Sequence, residues 1–138
     1  MSSRRIRTCL FALSVILSGC GRANQRAFPA LGPVTLIKVS GKEKNEIETI
    51  ISGQRSIEQI VDFVDSNRAG WYTPWYGIPV PAITAEFYDG QSFKGSFGVG
   101  KNFLETQRDG GFWSKEATPD EVRRFLDLVG KSKESFNP

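Results

Sequence analysis

Apolar residues in the central and C-terminal parts of the chain recur with two periods, and the switch between them lays out the elements. Val34 to Ser40 is rich in Val, Leu, Ile and Thr, a polar turn follows through Gly41-Lys42-Glu43-Lys44-Asn45, and Ile47 to Ser52 then places Ile47, Thr49 and Ile51 on one face. Two such runs predict a hairpin with a longer loop, closed by Gly53. The period then changes. Ile57, Ile60, Val61 and Val64 fall at i, i+3, i+4 and i+7, the stripe of a half-buried helix, and Ser56-Ile57-Glu58-Gln59 fits a capping box at its start. The spacing predicts a helix over 57–67, with Gly70 placed to end it in a left-handed conformation.

Alternation returns after an aromatic loop. Ile83, Ala85 and Phe87 share one face of a strand over 83–88, Asp89-Gly90 supplies a two-residue turn of positive φ, and Ser92 to Val99 comes back with Phe93, Phe97 and Val99 expected together around Gly95. Asn102 to Arg108 and Phe112 to Lys115 are joined by Asp109-Gly110-Gly111 and read as a further hairpin. Thr118-Pro119-Asp120-Glu121 is a second capping box with proline at the first helical position, and Val122, Phe125, Leu126 and Val129 repeat the helical stripe before Gly130 stops it. The tail from Lys131 to Pro138 is polar and is expected to fray. Two amphipathic helices need an apolar surface, and antiparallel strands offer one face. The expected fold is α+β: an antiparallel sheet of about five to six strands with both helices on one face, in the order ββα, three or four β, α.

The N-terminus follows a different pattern. Arg4, Arg5 and Arg7 form a positive head, Cys9 to Leu17 an apolar stretch too short to span a bilayer as a helix, and Leu17-Ser18-Gly19-Cys20 ends it. This segment resembles the lipobox signal of bacterial lipoproteins over residues 1 to about 21. The resemblance implies cleavage between Gly19 and Cys20, diacylation of the Cys20 thiol and acylation of the new amine. It implies a location at the membrane in the cell envelope; with Gly21 rather than aspartate after the cysteine, the default is the periplasmic face of the outer membrane in a Gram-negative host. Ser3-Arg4-Arg5 is slightly similar to a twin-arginine export start but lacks the following Phe-Leu. The domains expected are a signal peptide over 1–19, a lipidated cysteine and flexible tether over 20–33, and a single domain over 34–138. Gly21 to Pro33 has two prolines and no steady period, and as a coil of 13 residues it reaches about 20 Å.

Charge and cysteine count narrow the function classes once that cleavage is taken into account. The net charge of +3 belongs to the signal: removing residues 1–19 takes the 18 basic side chains to 15, against 15 acidic ones. A neutral body lacks the clustered Lys and Arg that phosphate backbones require, so no nucleic-acid partner is expected. Histidine is absent, Cys9 leaves with the signal and Cys20 carries lipid, so no thiol remains for a disulfide, a metal or a nucleophile. No serine or threonine has a histidine partner, Lys101 has no evident serine mate, and neither a cofactor nor enzymatic activity is expected.

Gly95-Ser96-Phe97-Gly98-Val99-Gly100-Lys101-Asn102 comes close to a phosphate-binding loop, but Phe93, Phe97 and Val99 alternate straight through it, which predicts a strand or bulge relieved by glycine and no nucleotide. Asp62 and Asp65 read as the solvated face of the first helix. Glu86, Asp89 and Asp109 are the remaining acid/base candidates, although Asp89 and Asp109 fit turn positions before glycine.

One loop stands out. Trp71-Tyr72-Thr73-Pro74-Trp75-Tyr76-Gly77-Ile78-Pro79-Val80-Pro81 holds four aromatics and three prolines in eleven residues. Such a stiff surface either lids the core, grips a protein partner or stacks on a sugar. Trp71, Tyr72, Trp75 and Tyr76 are its candidate binding residues. The function expected is that of a non-catalytic cell-envelope lipoprotein, a protein-contact or accessory domain tethered through its lipid, with a peptidoglycan- or glycan-binding module as the alternative.

Overall fold

The computed structural model describes residues 25–42 and 48–131. The segment over 1–19 expected as a signal peptide, Cys20, residues 43–45 of the polar turn, Ile47 and the tail beyond Lys131 lie outside them. Among the described residues the chain forms β1 (Leu36–Gly41), β2 (Thr49–Ile51), α1 (Gln54–Ser66), β3 (Ile83–Asp89), β4 (Ser92–Val99), β5 (Phe103–Arg108), β6 (Gly111–Glu116) and α2 (Pro119–Leu128). The strands make one antiparallel sheet in the order β2-β1-β3-β4-β5-β6. This is the α+β architecture expected: β3 to β6 form a meander, and the connection through α1 carries the chain past β1, so that β1 and not β2 lies beside β3.

Register sorts the side chains into two faces. Val39, Ala85, Phe97 and Thr106 share one row, Ile83, Val99 and Leu104 the next, and all seven are buried. Both helices cover this face: Phe63 of α1 packs against Phe97 with ring centroids 5.9 Å apart, and Phe125 of α2 against the same ring at 5.1 Å. The stripes are those the spacing predicts, with Ile57, Ile60 and Val64 buried on α1 and Val122, Phe125 and Leu126 on α2. Burying a Leu, Ile, Val or Phe side chain contributes about 1.5–3 kcal/mol, so this interface supplies most of the cohesion.

The two capping boxes part company. At α2 the Thr118 hydroxyl accepts from the Glu121 amide at 3.2 Å and the Glu121 carboxylate accepts from the Thr118 amide at 2.7 Å. At α1 the box does not form. The helix starts three residues earlier, with Gly53 as N-cap and no side-chain cap, because Gln54 and Arg55 are already helical and Gln54 donates to Glu58 across one turn at 2.9 Å.

The turns differ from expectation in a similar way. At the β3–β4 hairpin Asp89 still pairs with Ser92, so Gly90-Gln91 forms the turn, with only Gly90 at positive φ. The geometry of two consecutive positive-φ residues occurs instead at Asp109-Gly110, φ 51° and 75°. Phe93 does not join Phe97 and Val99. Phe87 pairs with Gly95 but Tyr88 with Phe93, and the bulge at Lys94 turns Phe93 to the opposite face, where its ring lies 5.6 Å from that of Tyr88.

Part of the segment expected as a tether over 20–33 belongs to the folded body. Arg26 pairs with Trp71, Phe28 and Leu31 are buried in the core, and the Leu31 amide donates to the Asp65 carboxylate at 2.9 Å. Asp65 therefore holds this segment against α1 instead of serving only as a solvated charge. Phe28 touches both Trp71 and Trp113 edge to face, and the Arg26 guanidinium lies 4.8 Å above the Trp113 ring. The missing period that suggested a tether reflects an irregular segment whose two large apolar side chains, Phe28 and Leu31, each find a place in the core.

Candidate functional site

The aromatic loop leaves α1 on the helix-covered face and crosses the β6 edge of the sheet. Trp71 is spent on the core: it is 1% exposed, lies against Phe97 at 5.8 Å, and donates its indole N–H to the Asn67 carbonyl at 2.7 Å. Lys115 of β6 tightens the same corner. Its ammonium donates to Asn67 Oδ1 at 3.0 Å and to the Ala69 carbonyl at 3.4 Å, lies 5.5 Å from the Trp71 ring, and has its pKa lowered by burial. A cation just past the end of α1 also suits the negative end of the helix dipole. Trp71 is thus a lid on the core and not a binding residue.

Tyr72 continues from Trp71 along the edge of β6. Its backbone exchanges two hydrogen bonds with Ser114, at 3.0 and 2.9 Å, so the loop occupies an edge that would otherwise offer unpaired amides. Beyond Tyr72, Pro74 is buried, and the next residues turn outward. Trp75 is 92% exposed and Tyr76 59%, with Ile78 and Val80 also in solvent. The Trp75 and Tyr76 rings meet edge to face, 5.6 Å apart and 86° between planes. Of the four candidate binding residues, only Trp75 and Tyr76 are held out where another molecule can reach them.

The loop then returns over the face of the sheet that carries no helix. A Cβ on Gly98 would lie 2.7 Å from Pro81 Cβ, so only glycine lets the proline seat there. In that row Thr84, Gly98, Glu105 and Ser114 stand side by side. Glu105 has neighbours on both sides that the loop touches, Gly98 under Pro81 and Ser114 paired to Tyr72, and it is 5% exposed. Burial pushes its carboxyl up to about 7. Sequence reasoning missed this residue, since a glutamate at an outward strand position reads as solvated; its roof comes from residues more than twenty positions earlier in the chain.

The other acidic candidates are occupied elsewhere. Glu86 accepts from the Tyr88 hydroxyl at 2.7 Å, Asp109 is bound by Arg26 at 2.7 Å, and Asp89 closes β3. Among the described residues no three of His, Cys, Asp and Glu come together as a metal site, and no helix is long and apolar enough to cross a membrane. Residues 95–99 of the near phosphate-binding motif lie in β4, and Lys101 is exposed just beyond it.

Fold and site together define a small α+β domain whose exposed aromatic tip is fastened to the core at its base. Compared with family models, curated proteins and solved structures, the chain matches none of them.

Proposed function

We propose that this chain is a non-catalytic lipoprotein of the cell envelope, anchored through Cys20, that serves as an accessory domain by contact with a protein beside the membrane. The anchor half of the reading rests on the sequence Leu17-Ser18-Gly19-Cys20 behind its basic head and apolar run. The contact half rests on one observation: the large apolar side chains of Ile50, Phe93 and Phe112 are held in solvent on the face of the sheet opposite the helices. Aromatic side chains give contact area at low entropic cost, and contact surfaces are enriched in them.

Each half has its own test. Mass spectrometry of the mature N-terminus reads the anchor: acylated Cys20 as the first residue supports it, and a native product that retains residues 1–19 removes it. A photo-crosslinker at Phe93 or Phe112 in the intact envelope reads the contact, with the exposed Arg123 of α2 as the control position. A discrete protein adduct from the sheet face supports the reading. No adduct above the Arg123 control, or co-sedimentation of the purified domain with bare peptidoglycan, overturns it, the latter in favour of a glycan module.

A further inference from the structure

The anchor proposed above gives the loop tip an occupant. Resting on that reading, we propose that residues 75–80 lie in the headgroup region of the same bilayer that holds Cys20, so that the domain docks on the membrane in one orientation.

The first argument is chain length. Arg26 is fixed to Trp71 by two backbone hydrogen bonds of 2.7 and 3.1 Å. Six peptide steps separate it from Cys20, which at full extension span about 21 Å. A domain of about 100 residues has a radius of gyration near 13 Å and is about 30 Å across. The leash is shorter than the body is wide, so the surface that bears Arg26 stays toward the lipid.

The second argument is direction. Arg26 and Trp71 pair antiparallel, so the chain enters Arg26 from the end of the bridge toward which it leaves Trp71 for Trp75. Trp75 is four residues beyond Trp71 and therefore within about 14 Å of it. The tip is thus held near the surface that bears Arg26, which the chain length keeps toward the lipid.

The third argument is chemistry. No charged residue occurs between Arg68 and Glu86, so the whole loop can approach headgroups without stripping water from an ion. Trp and Tyr favour the membrane–water interface, where an apolar ring and a polar N–H or O–H are both satisfied. Ile78 and Val80 add aliphatic surface on the same tip. For a sugar the arrangement is poorer, since rings at 86° do not form one flat platform.

The test uses the mature, acylated protein reconstituted in phosphatidylethanolamine–phosphatidylglycerol vesicles. Subtracting the emission of Trp75→Phe from that of the parent isolates Trp75, and the substitution at so exposed a site leaves the fold intact. The expected result is that Trp75 emission shifts to the blue, is quenched by brominated acyl chains, and loses most of its access to aqueous acrylamide. Lengthening the leash fourfold with Gly-Ser repeats after Gly21 lowers the local concentration of the tip at the bilayer about eightfold and weakens the quenching. If the protein floats with the vesicles while Trp75 remains open to acrylamide and untouched by the brominated lipid, the docking inference fails and the anchor survives. Failure to float removes both. Shielding that arises only when envelope proteins or peptidoglycan are added gives the tip to that partner and overturns the inference.

Discussion

The two ends of the aromatic loop have nearly the same composition and opposite fates. Trp71 and Tyr72 are drawn into the structure, one by the Phe97 and Phe28 rings and the Asn67 carbonyl, the other by the backbone of β6. Trp75 and Tyr76 touch each other and are otherwise left to solvent. What separates them is the supply of neighbours and not aromatic character: α1 ends beside an unfilled corner of the core that one indole completes, and Pro74 is the last buried residue before the tip. A cluster of aromatics in a sequence is therefore not one site but a base and a tip.

Trp71→Ala should have the largest effect on that contrast. It removes a fully buried indole together with its hydrogen bond to Asn67, and the expected loss is about 3–5 kcal/mol of unfolding free energy in a urea titration. A loss below about 1 kcal/mol would mean that the base is no more structural than the tip.

Glu105→Gln comes next and tests the loop as a roof. Because its carboxyl is raised to about 7 in the folded chain from an ordinary 4.5, the folded state holds the proton more tightly than the unfolded state does. The native chain gains nothing from this below pH 4.5 and loses stability progressively as pH rises from about 4.5 through 7, after which the penalty is constant. The glutamine variant should melt higher than the parent at pH 8, by up to about 3 kcal/mol, and alike near pH 4. Equal melting at both values would show Glu105 to be open to water.

Gly98→Ala places a methyl against Pro81. The crowding should cost about 1–3 kcal/mol and, by moving the roof, let the Glu105 carboxyl titrate closer to its ordinary range, which carbon-13 NMR of the labelled glutamate reads directly. The smallest effect belongs to the tip. Trp75→Ala and Tyr76→Ala should each change stability by less than about 0.5 kcal/mol in the same urea titration, because each ring has little but the other to lose.

The helical stripes, the strand alternation and the α2 box were legible because they depend on residues a few positions apart. Thr118 and Glu121 need only each other, so the motif and the structure agree. Ser56 and Gln59 form as good a pattern, but Gln54 and Arg55 extend the helix past them, and no local rule sees that. Phe93 was misplaced by a one-residue bulge, since a single inserted position reverses every side chain before it. The burial of Phe28 and Leu31 and the shift at Glu105 depend on segments far away in the chain and leave no periodic trace. In the loop, sequence marked eleven residues and left open which of them the core would take.

The pairing of Arg26 with Trp71 also has a mechanical reading. Any pull that arrives from the N-terminal side reaches the body first through those two backbone hydrogen bonds and the Arg26–Asp109 ion pair, while the sheet and its helices lie behind them. Under load those hydrogen bonds and the ion pair would be strained before the Phe28 and Leu31 contacts that lie behind them in the core.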